Sequence, residues 1–187
     1  MTTLNIMTKE TGEVFIDPPV PLPSSEVRNQ WEVISREFLV YAFAGRPACI
    51  IADDYRASDQ DYLEYVERRD EIIVDNVLYQ LGFSQKCSPD ALTRIVGTSD
   101  IWWDAVWIAG FSEHDEGRII RLIQAFTDAS YKSKIYRVET EEEFLVSTGD
   151  GCGYWWINPG KPIDEIVTNV AHFAQNADWS VHLIDPD

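Results

Sequence analysis

Ser58-DQDYLEYVERRDEIIVDNVLYQLG-Phe83 is the stretch on which the fold turns. The spacing of its apolar residues predicts one long helix. Ser58 serves as N-cap, with Asp59 and Asp61 in the first turn complementing the helix dipole. Tyr62, Leu63, Val66, Ile73, Val74, Val77 and Leu81 collect on one face, and Gly82 ends the helix. At 100° per residue Asp70 falls in the middle of that apolar face. An unpaired buried carboxylate is costly. Three solutions stay open: the helix breaks near Arg69-Asp70, Asp70 pairs with an arginine, or the face meets another molecule.

Working outward, a first helix runs from about Glu26 to Phe43, with Val27, Trp31, Ile34, Phe38 and Tyr41 in one stripe. Before it, Pro18 to Pro23 holds four prolines in six residues, an extended connector that ends at the capping residues Ser24-Ser25. Glu13 to Ile16 supplies a short strand. Ala48 to Ala52 reads as a strand or an extended loop, and Ser88-Pro89-Asp90 opens a short helix through Arg94.

The second half alternates. Ile101 to Ala109 (IWWDAVWIA) is aromatic and β-branched, the composition of a largely buried strand. Ser112 caps a helix over Glu113 to Ala129, and Lys134 to Val138 follows as a strand. Glu139 to Leu145 reads either as a strand end or as a short acidic helix. Gly153 to Ile157 is a strand, Pro162 starts a helix, and Trp179 to Ile184 is the last strand. In strands, Trp102 and Trp103 face opposite sides, as do Trp155 and Trp156. The expected fold is therefore α+β or α/β, with a helical N-terminal half and a C-terminal mixed sheet of about four strands under helices. One domain is expected over 1–187: an extended segment 1–25, a helical part 26–97 and a sheet-containing part 98–187.

The 187 residues carry 32 Asp+Glu against 15 Lys+Arg, a formal net charge of -17. Acidity of this degree with few aromatics describes a disordered tail. Here 45% of residues are hydrophobic and seven are Trp, so the excess charge sits on the outside of a cored globule. Such a surface repels nucleic acid and acidic membranes and attracts basic proteins. The N-terminus has no basic region leading into an apolar core, and no apolar run nears the ~20 residues of a membrane span. A cytoplasmic protein is expected.

Two acidic clusters carry the functional expectation. On the Ser58–Phe83 helix, Asp61, Glu64, Glu67, Glu71 and Asp75 share about one third of the wheel, interrupted by Arg68, with Asp53 and Asp54 just upstream. Glu139, Glu141, Glu142 and Glu143 form the second. Carboxylates arrayed in this way stand where a basic groove expects phosphates. The expected function is a non-enzymatic acidic inhibitor of a basic, nucleic-acid-handling protein, a type known by composition from anti-restriction and anti-CRISPR proteins. An immunity protein that neutralises a basic toxin has the same physics.

A third reading takes Cys152, set in Gly149-Asp150-Gly151-Cys152-Gly153, as a hydrolase nucleophile with His172 or His182 as base. The match is poor, because a tight turn and a strand follow where a thiolate-stabilising helix N-terminus or cation is needed. His172 lies opposite the apolar stripe of its helix, and the side taken by His182 depends on strand register. Three scattered Cys exclude a disulfide framework, and His114, His172 and His182 lack any metal-binding spacing. No phosphate-binding loop occurs, so neither a cofactor nor a metal is expected.

Overall fold

The computed structural model describes residues 2–19, 22–53, 64–97, 106–132, 140–148 and 153–184. The chain runs β1 (Thr3–Thr8), β2 (Val14–Asp17), α1 (Ser25–Phe43), β3 (Ala48–Asp53), β4 (Arg68–Val74), β5 (Val77–Ser84) and α2 (Pro89–Gly97). It continues through β6 (Val106–Ala109), α3 (Glu116–Lys132), β7 (Phe144–Thr148), β8 (Gly153–Ile157), α4 (Ile163–Asn176) and β9 (Ser180–Ile184). The nine strands form one sheet in the order β4-β5-β3-β6-β7-β8-β2-β1-β9. Its pairs are antiparallel apart from β1 with β9, which is parallel and sets Thr3 beside Ser180.

This overturns the expected helical N-terminal half and four-strand sheet. Five of the nine strands, β1 to β5, precede residue 85. The decisive error lies in the Ser58–Phe83 stretch, whose described part from Arg68 onward is a hairpin. Asp75 and Asn76 sit between Val74 and Val77 with φ of 52° and 66°. Positive φ at both central residues is the two-residue turn whose twist matches paired strands, and Asp and Asn tolerate it. On either side burial follows a period of two. Ile72, Val74, Tyr79, Leu81 and Phe83 are buried, whereas Ile73 is 68% exposed and Val77 41% exposed. A helix would have buried both; in the hairpin Ile73 turns to the opposite face, and Val77, on the face of Val74 and Tyr79, is exposed because it sits at the tip. Gly82 is an interior strand residue opposite Ile50 and Arg69, not a helix cap.

Other elements follow their local signals. Ser24 caps α1, its hydroxyl accepting from the Val27 N–H at 3.2 Å. For α3 the cap is Asp115, whose carboxylate accepts from the Arg118 N–H at 3.0 Å, so the helix starts later than a Ser112 cap implies. β1 was hidden among polar residues, yet Leu4 and Ile6 alternate inward with exposures of 0% and 1%. The region 140–143 is neither strand nor helix, and β7 begins at Phe144.

The sheet is apolar on both faces. On one, Trp31, Phe38, Phe43, Leu92, Ile166 and Val170 from α1, α2 and α4 pack over Ile50, Ile108, Leu145 and Trp156. On the other, Ile119, Leu122 and Ile123 of α3 pack with Leu81, Phe83, Trp107, Phe144 and Val146. Trp155 and Trp156 take opposite faces as expected, and all five residues of β8 are buried. Trp102, Trp103 and the expected strand Lys134–Val138 lie outside the described residues.

Replacing Asn76 by Val puts a β-branched side chain at positive φ. The cost expected is about 1–2 kcal/mol, a fall in Tm of roughly 2–8 °C, whereas Asn76→Gly holds or raises Tm. Equal melting of wild type and N76V by calorimetry refutes the turn assignment.

Candidate functional site

β4 is the last strand at one end of the sheet and has no outer strand neighbour among the described residues. In a two-residue hairpin, Val74 and Val77 exchange both backbone hydrogen bonds, and bonding then recurs at every second residue. Ile72 and Asp70 therefore bond to β5, while the peptide groups of Glu71 and Ile73 point outward. The Glu71 N–H confirms this direction, because it donates to the Asp70 Oδ1 at 3.0 Å.

Asp70 is not buried in an apolar face. It pairs with Arg68, Nη2 to Oδ2 at 2.8 Å, and lies 2.9 Å from the His114 Nδ1. Arg68 Nη2 also stands 2.7 Å from that same ring nitrogen. Arginine can only donate, so this contact needs Nδ1 as acceptor, with the ring proton on Nε2. The ring itself stacks on Phe83 with centroids 5.5 Å apart. The backbone bond from Glu71 first, then the bond from Arg68, holds the Asp70 carboxyl below the usual carboxylate range.

Around this edge the structure forms an open depression of about 360 Å³, lined by Glu71, Ile72, Ile73, Leu78, His114 and Glu116. Packing of α3 against the sheet beside β4 brings two sequence segments together here. Residues 64–75 hold five carboxylates against two arginines, and residues 113–118 hold three against one. Glu64, Glu67, Glu71, Asp75, Glu113, Asp115 and Glu116 are all exposed. The expected set thus contributes Glu64, Glu67, Glu71 and Asp75 to this end of the molecule, spread over a loop, a strand and a turn instead of one helix face. Glu67 also serves the backbone, accepting from the Lys86 N–H at 3.3 Å. Sequence reasoning missed Glu113, Asp115, Glu116 and His114 as parts of the site. Only the sheet order brings them to β4, and no spacing in the chain reports it.

The second expected cluster is divided. Glu141 is exposed. Glu142 takes both ends of the Arg118 guanidinium, which lies over the Phe111 ring at 3.9 Å. Glu143 is 11% exposed at its side chain and binds Arg46, the Trp156 Nε1–H at 3.2 Å and the Gly160 N–H at 2.8 Å. Arg46 in turn donates to the Ala42 carbonyl, so one carboxylate links α1, β8 and the loop before α4. A side chain at Gly160 would meet the Arg46 guanidinium and the Glu143 carboxylate, so this ion pair would have to shift to admit it. Glu142 and Glu143 are internal counter-ions. Asp53 closes β3, and Asp54, Asp61 and Glu139 lie outside the described residues.

Cys152 also lies outside them. His172 is exposed on α4 beside Asn176, and His182 is exposed on β9 opposite Asn5. The described thiols are poor nucleophiles. Burial drives Cys49 far above the ordinary thiol range, and burial followed by the Glu67 charge pushes Cys87 up to about 11. Among the described residues no three His, Cys, Asp or Glu converge as metal ligands, and no helix is long and apolar enough to cross a membrane. No protein-family model matches the chain, and no curated protein or solved structure matches it.

Two predictions separate structural carboxylates from free ones. Glu143→Ala strands a half-buried arginine and is expected to cost about 3 kcal/mol, on the order of 10 °C in Tm, against about 0.5 kcal/mol or less for Glu141→Ala. Urea denaturation of the two variants measures this. For Asp70, a depressed folded pKa means that its contribution is present above the unfolded value near 4 and is lost as pH falls through the folded value. Asp70→Asn should therefore destabilise at pH ~7 and be neutral well below pH ~4. A constant penalty across that window counts against the ion-pair account.

Proposed function

We propose that this chain is a non-enzymatic acidic binding protein whose partner is a basic protein, of the kind whose own ligand is a polyanion. The observation that carries the reading is how the positive charges are used. Arg46, Arg68, Arg118, Lys9, Arg36 and Lys161 each sit within 4 Å of a carboxylate of the same molecule. The chain as a whole keeps a carboxylate excess of 17 charges, and seven of the fourteen exposed Asp and Glu among the described residues lie at the β4 end.

A surface of one sign raises the encounter rate with an oppositely charged partner and leaves the final affinity to closer contacts. Exposed Ile73 and Val77, set among Glu71, Asp75 and Glu116, supply apolar area for those contacts. Such a protein would occupy a basic groove and exclude its polyanionic ligand. Inhibition follows from occupancy alone, and no bond need be made or broken.

The test is capture of partners from the source cell on the immobilised protein, with washes at about 50 mM and about 500 mM salt, where the screening length falls from ~14 to ~4 Å. Basic proteins should be retained at low salt and released at high salt, and heparin should compete with them. Retention of neutral or acidic proteins, unmoved by salt, sinks the reading.

A further inference from the structure

We infer that the outer edge of β4, which has no strand neighbour among the described residues, is the docking strand of this protein, and that its occupant is an extended segment of the basic partner added as a further strand. The inference rests on the partner being basic, as proposed above, and goes further by naming the surface and the form of what it binds.

Three observations meet at this edge. The Ile73 N–H and C=O and the Glu71 C=O point away from β5, and an incoming strand takes up such groups two at a time. Ile73 is 68% exposed on this strand, although edge strands ordinarily carry polar or charged side chains there to discourage pairing. The surround is acidic: Glu71, Asp75 and Glu116 are exposed around the edge, and Glu113 and Asp115 precede α3.

Strand geometry then states what fits. Glu71 and Ile73 share one face of β4, two residues apart. A paired segment therefore places an apolar residue beside Ile73 and a Lys or Arg two positions away beside Glu71. Residues between them point to the other face, where Glu116 and His114 line the depression. An acidic or uniformly apolar strand is refused by this pattern. A second copy of this chain is disfavoured by the same charge, since two such edges bring like carboxylates together.

One existing bond limits how far the pairing runs. The Glu71 N–H is held by Asp70, which in turn is held by Arg68. Docking at Ile73 leaves that bond intact, so Ile73 is the entry point and Asp70 marks where pairing stops.

The experiment uses the full chain, isotopically labelled, with a nine-residue probe peptide that alternates Lys and Val on one face and Thr on the other. Expected are amide shift changes confined to 69–77 and a slowing of Ile73 amide exchange by about tenfold or more. Ile73→Pro removes the outward donor without touching the bonds to β5, because proline is accepted at edge positions facing solvent. It should keep the wild-type Tm to within a few degrees and weaken the peptide roughly tenfold. Glu71→Lys with Glu116→Lys should abolish binding of this peptide while admitting one with Glu in place of Lys. Shift changes elsewhere, or undiminished binding by I73P, overturn the docking strand while leaving an acidic binding protein standing. Protection of Ile73 that grows with protein concentration in the absence of peptide assigns the edge to a second copy and overturns it as well.

Discussion

A sheet that is apolar on both faces has to be covered on both faces, and nearly every feature of this protein answers to that constraint. β8 states it most plainly, since each of its five residues is buried, Trp155 towards one layer and Trp156 towards the other. Burying two indoles of adjacent residues on opposite faces obliges helices to lie on both sides. α1, α2 and α4 supply one layer and α3 contributes to the other. Aromatic contacts knit the thicker layer, with Phe38 and Phe43 against Trp156 and Trp31 against Trp179. The charge is then left to the turns, the rim of the sheet and the outer faces of the helices.

Where carboxylates do reach inward, they come with a cation and with a tryptophan N–H. Glu143 meets Arg46, the Trp156 indole and the Gly160 N–H, and Glu13 meets Lys9 and the Trp155 indole. In both cases a tryptophan nitrogen that would be costly to bury alone finds an acceptor. The acidic composition thus serves the core as well as the surface. That double use is why counting acids along the chain overstates how many face outward.

Much of the second half was legible. Gly153–Ile157, the helix after Pro162 and the last strand carry strong, unmixed signals, and so does α1 behind its Ser24 cap. The largest failure came in the segment where two periods fit the same residues. Val66, Ile73, Val77 and Leu81 satisfy a helical stripe, while Ile72, Val74, Tyr79, Leu81 and Phe83 satisfy strand alternation across a turn. Asp75-Asn76 was the arbiter, because a pair of residues suited to positive φ between β-branched runs favours a hairpin over a helix interior. The site suffered for the same reason. With the helix gone, Glu71 and Asp75 keep their exposure but change neighbours, and Glu116 joins them from a segment some forty residues away. Proximity created by sheet order leaves no trace in spacing.

The parallel pairing of β1 with β9 carries a kinetic consequence. Thr3 and Ser180 hydroxyls meet at 2.9 Å across a sequence separation of 177 residues. Closing a loop of that length costs on the order of 5 kcal/mol in chain entropy before any contact repays it. β1 can zip onto β2 early, since their turn is short, but it waits for its outer neighbour until nearly all of the chain is in place. The β1–β9 seam is accordingly the last part of the sheet to assemble. Leu183 and Ile184 of β9 are exposed, so little apolar burial at that end of β9 holds the seam closed.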